Sequence, residues 1–157
     1  MNAHIEMMDQ AGDAGFRITA RSLPALFEGA GLALSSLILP GTRARLETAE
    51  RLSIAASDLE CLLVSFLNEL IFLFDHRTFV AGAFDLSVVD STAATGDSNE
   101  NHPRVRLLGE TWGELLGDAP ADLDRRTGPV PKGVSYHLLE ARQRPDGLWY
   151  AQFVIDT

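Results

Sequence analysis

The stretch Ser57-Asp58-Leu59-Glu60-Cys61-Leu62-Leu63-Val64-Ser65-Phe66-Leu67-Asn68-Glu69-Leu70-Ile71-Phe72-Leu73-Phe74-Asp75 constrains the fold most, because it joins a helix start to a broad apolar face. Ser57 followed by Glu60 has the spacing of a capping box, in which each side chain satisfies a backbone donor left open at a helix start. Leu59, Leu62, Leu63, Phe66, Leu70 and Phe74 recur at helical spacing, while Cys61, Ser65, Asn68 and Glu69 lie mostly opposite. Burial of each large apolar side chain contributes about 1.5–3 kcal/mol, against about 1 kcal/mol for a cap, so the apolar face dominates. The pattern predicts a core helix over residues 58–74 that must be covered by other elements.

Around it, the periodicity changes. Phe16, Ile18 and Ala20 alternate with Arg17, Thr19 and Arg21, the pattern of a strand with one wet face, and residues 4–8 are placed to pair beside it. Ser22 then caps a helix lined by Leu23, Leu26, Phe27, Ala30, Leu34, Leu37 and Ile38, with Pro24 in its first turn and Pro40-Gly41 at its end. Residues 43–56 read as extended, and Phe84, Leu86 and Val88 mark a further strand. Residues 91–101 are small and polar and read as a surface loop, whereas 103–111 resume strand character. Residues 112–131 are rich in Gly, Pro and Asp, with a short helical turn expected around Trp112 to Leu116. A hairpin closes the chain, with Val134, Tyr136 and Leu138 on one strand, Pro145-Asp146-Gly147 as the turn, and Trp149, Ala151, Phe153 and Ile155 on the other. This order predicts an α+β fold over residues 1–157 as a single domain, with a mainly antiparallel or mixed sheet and two helices packed on one face.

Charge narrows the function. Lys plus Arg number 13 against 22 Asp plus Glu, a net charge of −9, which disfavours tight non-specific binding to nucleic-acid phosphates. The single Cys61 cannot form an internal disulfide, which suits a reducing cytoplasm. The apolar segments are interrupted by Glu28, Glu60, Asn68 and Glu69, short of the run of about 20 residues that a membrane helix needs. No basic leader followed by an apolar stretch is apparent, so a cytoplasmic location is expected.

Candidate chemistry is sparse. Asp9-Gln10-Ala11-Gly12-Asp13-Ala14-Gly15 lacks the Gly-Lys-Ser/Thr ending of a phosphate loop and precedes a strand; it reads as a turn, with a metal-binding carboxylate as the alternative. Asp156 falls on the face opposite the apolar stripe of its strand, and with Thr157 as the terminus an α-carboxylate stands beside it. Hard cations such as Ca²⁺ take six to eight oxygen ligands, so an Asp13 and Asp156 site would be incomplete and wet; a solvated chain end is the simpler reading. His4, His76, His102 and His137 have no spacing suited to zinc. Ser135 and His137 lack the strained elbow and third partner of a serine hydrolase, and Lys132 alone reads as a surface lysine.

Three blocks taken together resemble the archease family. Asp9 to Gly15 with Phe16-Arg17-Ile18 is similar to the family's opening Asp-His-Thr-Ala-Asp-hydrophobic-Gly, and Ser57 to Leu63 with Phe66-Leu67-Asn68-Glu69-Leu70 is similar to its central helix. Lys132-Gly133-Val134-Ser135-Tyr136-His137 with the closing Val154-Ile155-Asp156-Thr157 is similar to Lys-Ala-Val-Thr-Tyr-His and a terminal Asp-Ile. Gln10 stands where the family usually has His, Gly12 replaces Ala, Thr157 replaces the final Ile, and Arg125 falls where a further His is expected.

The resemblance implies an accessory protein, not itself an enzyme, that activates an RtcB-type RNA-splicing ligase by speeding its guanylylation and permitting multiple turnover in tRNA splicing and RNA repair. It further implies that Asp13 and Asp156 are metal-binding carboxylates, that the Thr157 backbone carbonyl is a further ligand, and that Lys132 is a partner-activating cation. The implied cofactor is a divalent ion, Ca²⁺ first, with Mg²⁺ or Mn²⁺ as alternatives. Other readings are a small metal-dependent hydrolase using the same two aspartates, which lacks an obvious general base, and a chaperone-like interaction module.

Overall fold

Among the described residues, seven strands divide between two antiparallel sheets, and the two long helices each touch strands of both. The computed structural model describes residues 3–9, 12–91, 103–126 and 128–157. In chain order its elements are β1 (Ala3–Asp9), β2 (Ala14–Ala20), α1 (Leu23–Ile38), β3 (Thr48–Ala56), α2 (Leu59–Arg77), β4 (Phe79–Asp90), β5 (Val105–Leu115), α3 (Pro120–Arg125), β6 (Gly133–Gln143) and β7 (Trp149–Asp156). One sheet has the order β1-β2-β7-β6 and the other β3-β5-β4. The α+β class and the antiparallel pairing expected from the sequence hold, with the strands partitioned into two sheets and a short third helix added. The loop expected over 91–101 lies almost wholly outside the described residues.

Both long helices form where the periodicity places them. Ser22 Oγ accepts the Ala25 amide at 3.3 Å, and every residue assigned to the apolar face of α1 is buried. On α2, Leu62, Leu63, Phe66, Leu70 and Phe74 are buried, while Leu59 is half-buried. Phe66 meets Phe27 of α1 edge-on with ring centroids 5.5 Å apart, and Phe84 of β4 at 5.8 Å, so one aromatic run joins both helices to the three-stranded sheet.

The start of α2 departs from the expected capping box. Asp58, not Ser57, is the N-cap, its Oδ1 accepting the Cys61 amide at 2.8 Å. β3 remains extended through Ala56, so the chain turns one residue later, and a carboxylate there also gains from the positive end of the helix dipole. Glu60 is thereby released from capping and instead accepts the Ala141 amide of β6 at 3.4 Å. Cys61 is half-buried, and its hydrogen bond with Asp58, followed by burial, raises the thiol above its ordinary range, away from thiolate chemistry.

The helical turn expected around Trp112 to Leu116 is not there. Trp112 to Leu115 continue β5, with Ala49 opposite Trp112 on one side and Val80 opposite Glu114 on the other. Pairing with β4 along the whole run, joined by β3 at Trp112 and Gly113, overrides the weak strand propensity of the Gly and Glu. The helical turn comes later, as α3, because β5 carries a buried carboxylate that needs a partner. Glu114 is only 2% exposed, and Arg125 of α3 grips both its oxygens, with Nη1 3.1 Å from Oε2 and Nη2 on Oε1. The Arg45 amide adds a bond to Oε1 at 3.1 Å, and Arg125 Nη2 also donates to the Arg43 carbonyl at 3.2 Å. One buried fork thus fastens α3 and the segment before β3 to the three-stranded sheet.

Burial pushes the Glu114 carboxyl up, but the Arg125 hydrogen bonds, the Arg45 amide and the positive charges outweigh it and leave it below its ordinary value of 4.5. A depressed carboxylate contributes stability that is complete above the unfolded-state value and is lost as pH falls through the folded-state value. Arg125→Met should cost about 3 kcal/mol at pH 7, because it leaves a buried charge unpaired. In urea unfolding the gap from the parent protein should narrow as pH falls toward and below 4.5, because without Arg125 burial lets the variant's Glu114 take up its proton first, and the parent then loses the stability of its paired carboxylate. A gap of constant size across that range would contradict the assignment.

Candidate functional site

Register at the centre of the four-stranded sheet assembles the site. β2 and β7 run antiparallel with Phe16 opposite Phe153 and Ala14 opposite Ile155, so one step further places Asp13 opposite Asp156. Because alternate residues point to opposite faces, the inward packing of Phe16, Ile18, Ala151, Phe153 and Ile155 puts Asp13 and Asp156 together on the other face. Both aspartates are exposed. On the other side of β7, Gly133 pairs with Asp156, and the Lys132 amide donates to the Asp156 carbonyl at 2.8 Å. Residues nominated from opposite ends of the chain therefore share one end of one sheet.

The last residue is tied to the β1–β2 turn. Thr157 donates its amide to Asp13 Oδ1 at 3.4 Å and its hydroxyl to the Gly12 carbonyl at 3.2 Å. Gly12 sits at φ 83°, a conformation that favours glycine and presents its carbonyl to Thr157. That the Gly12 carbonyl stands at this end is something residue type alone could not reveal. Gln10 lies outside the described residues.

Lys132 is exposed and borders a cleft formed with Asn68, Ile71, Phe72 and Asp75 of α2 and with Val130 and Pro131. Among the described residues its ammonium makes no salt bridge, with either aspartate or any other acid. The structure thus brings the Lys132 backbone to the carboxylate end but leaves its charge free for another molecule. Asp13, Asp156 and the Gly12 and Thr157 carbonyls form an all-oxygen donor set, the chemistry that hard divalent cations prefer. Among the described residues no group of three or more His, Cys, Asp or Glu side chains converges, so any ion there would need backbone carbonyls, water or a partner to complete its shell.

Beside this end, β6 departs from the regular hairpin expected. The register slips between Ser135 and Glu140, so residues 136–139 bulge opposite Phe153. Val134 is buried as expected, but Tyr136 is 73% and Leu138 41% exposed, because the extra residues break the period of two. Leu138 adopts φ 60°. Gln152, nearly buried, holds the bulge: its Nε2 donates to the Leu138 carbonyl at 2.8 Å, while Oε1 accepts Arg17 Nε at 3.1 Å and the Tyr150 hydroxyl at 3.0 Å. Ser135 Oγ accepts the His137 amide at 3.0 Å, so the hydroxyl serves a local turn. His76 stacks on Phe72 with centroids 3.9 Å apart, His4 lies on β1, and His102 is outside the described residues.

Comparison with known proteins gives one consistent answer. The archease protein family matches residues 5–157. The archease of Pyrococcus furiosus is 27% identical over 151 residues, spanning 96% of each chain, and that of Methanosarcina acetivorans is 29% identical over 157 residues, spanning 96% of this chain and 94% of that one. The solution structure of Methanobacterium thermoautotrophicum protein 1598 superposes with a TM-score of 0.75 at 24% identity and covers 98% of each chain. A Thermotoga maritima crystal structure, described as an archease and possible chaperone, gives a TM-score of 0.59 at 14% identity, covering 97% of this chain and 96% of that one.

The Gln152 bridge has a measurable role. Gln152→Leu leaves the Leu138 carbonyl without its donor and removes the acceptor used by Arg17 and Tyr150, at an expected cost of about 1–3 kcal/mol in urea unfolding. The amide resonances of Tyr136 and His137 should move as the bulge loosens. Unchanged stability together with unmoved resonances would show that other contacts hold the bulge.

Proposed function

Because this chain belongs to the archease protein family, we propose that it acts in the cytoplasm as an accessory protein of an RtcB-type RNA-splicing ligase, promoting the ligase's guanylylation and its multiple turnover in tRNA splicing and RNA repair. The observation that supports this reading is the convergence of Asp13, Asp156, Thr157 and Lys132 at one open end of a sheet. The site is shallow and half-supplied with ligands, which suits work at the surface of a partner better than an enclosed reaction of its own. A hard divalent cation, Ca²⁺ first with Mg²⁺ or Mn²⁺ as alternatives, supplies positive charge against phosphate oxygens when bound there.

In this reading Asp13 and Asp156 hold the ion and the Thr157 carbonyl adds a neutral oxygen. The Thr157 amide on Asp13 Oδ1 orients that carboxylate while leaving it lone pairs to bind with. The unpaired Lys132 reaches the partner's negative groups beside the aspartates. The acidic balance of the chain, with a net charge of −9, directs it to a protein rather than to RNA. A second reading, a chaperone-like interaction module, is favoured by Phe72 and Val130, which are 50% and 57% exposed beside Lys132.

Mixed with its cognate ligase, GTP and a divalent metal, the protein should accelerate formation of the ligase–guanylate intermediate and raise the RNA joining events per ligase. Asp13→Ala, Asp156→Ala and Lys132→Ala should each lose at least about tenfold of that stimulation, the scale of one charged interaction, while unfolding at the parent temperature. Phosphate-ester hydrolysis by the protein alone would favour a hydrolase. Suppression of ligase aggregation with no change in guanylylation would favour the chaperone-like reading.

A further inference from the structure

Away from the carboxylate end, the side of α1 from Glu28 to Ser36, the turn at residues 41–44 and the first part of β4 enclose a cavity of about 550 Å³. It shares no residue with the site described above. Its lining is apolar at Leu32 and Phe84 and polar at Glu28, Ser35, Thr42 and Arg43. Its volume lies in the range of cavities that take one small molecule or one side chain, about 300–1,000 Å³.

A backbone irregularity shapes one wall. β4 slips register between Ala81 and Ala83, leaving Gly82 as the extra residue. A Cβ there would come within 2.7 Å of the Ala44 carbonyl, so a side chain at this position would force the 44–46 segment away from the wall. Bulges of this kind are common beside binding sites.

Glu28 is the chemical anomaly. It is half-buried in the cavity wall, and among the described residues its carboxylate accepts no hydrogen bond and makes no salt bridge. Burial first, and then the negative charge of Asp85, push its carboxyl above the ordinary value of 4.5. Arg43 lies in the same lining yet forms no ion pair with it, and the Arg43 carbonyl is held by Arg125 at 3.2 Å. The positive charge at the amino end of the chain opposes this shift without cancelling it, so a carboxylate beside apolar walls and a second negative charge is only partly compensated. The contrast with Glu114, fully paired inside the fold, is direct.

We propose that this cavity is a binding site for an ammonium or guanidinium group on a short apolar stem, with the cation on Glu28 and the stem against Leu32 and Phe84. A lysine or arginine side chain of a partner protein and a free aliphatic amine share this chemistry. Both bring a single positive charge to Glu28 and cover the exposed apolar wall, so the cavity gains a counter-charge and loses water in one step.

The test is a titration of the ¹⁵N-labelled full chain with blocked lysine and arginine (N-acetyl, N′-methylamide), with pentylamine, and with 1-pentanol as the uncharged control. Saturable shifts at the amides of Ser36, Gly82 and Phe84 are expected with the amines and not with pentanol. Glu28→Gln should weaken binding about tenfold, the loss expected when a charged hydrogen bond becomes a neutral one. Thr42→Trp, at an exposed rim position, should close the entrance without altering the charge. Tighter binding of the blocked amino acids than of pentylamine would assign the site to a protein side chain, and the reverse to a free amine. No saturable shift with any amine, equal shifts with pentanol, or parent-like binding by both variants would overturn the proposal.

Discussion

Everything that gives this protein a site depends on the pairing of β2 with β7. The two strands come from opposite ends of the chain, and their union is held by Phe16 stacked near Phe153 at 5.6 Å, both essentially inaccessible to water. Closing so long a loop costs chain entropy, which burial of Phe16, Ile18, Ala151, Phe153 and Ile155 offsets. The same apolar set fixes the register, because a slip of one residue would turn Phe16 and Phe153 to solvent. Register in turn fixes chemistry: Asp13 and Asp156 each lie one step beyond the pair of half-buried Ala14 with buried Ile155. The hydrophobic core thereby positions two exposed carboxylates that it never touches.

Much of this could be read from the amino-acid order, for identifiable reasons. α1, α2, β2 and β7 each carry an apolar period strong enough to survive burial on a single face, and Pro40-Gly41 and Pro145-Asp146-Gly147 interrupt the chain where no regular element could continue. The misreadings come from interactions without a local signature. Trp112 to Leu115 hold an extended form because β4 pairs with all of them and β3 with the first two, and no window of sequence contains those neighbours. The bulge at residues 136–139 answers to Gln152, a distant polar residue, so the alternation of Val134, Tyr136 and Leu138 promised a regular strand that the ladder does not make. The shift from Ser57 to Asp58 at the start of α2 reflects where β3 ends rather than which residue caps better. At the site, Asp13, Asp156 and Lys132 were nominated through a family resemblance; no periodicity could have joined positions so far apart. The Gly12 carbonyl was invisible because every residue has one.

Four acidic residues of this chain, Glu114, Asp13, Asp156 and Glu28, occupy three distinct environments. Glu114 is buried and gripped by Arg125, so its charge serves the fold and stabilises the attachment of α3. The same pairing gives Arg125, which stands where the archease resemblance leads one to expect a histidine, a structural task. Asp13 and Asp156 are exposed at a strand end, where water and mobile ions keep the cost of two nearby charges small. Glu28 falls between them, desolvated by the cavity wall yet unpaired. Net charge alone separates none of these roles.

Paramagnetic broadening by Mn²⁺ tests the central claim, that register makes one oxygen-lined cation site from the two ends of the chain. At sub-stoichiometric Mn²⁺, the ¹⁵N-labelled protein should first lose the amide signals of Gly12, Asp13, Lys132, Gly133, Asp156 and Thr157, while signals at Gly82 and Phe84 persist. In a double Asp13→Asn, Asp156→Asn variant those signals should survive at the same metal concentration. Broadening that spreads evenly over the acidic surface, or that is unchanged in the double variant, would contradict the account.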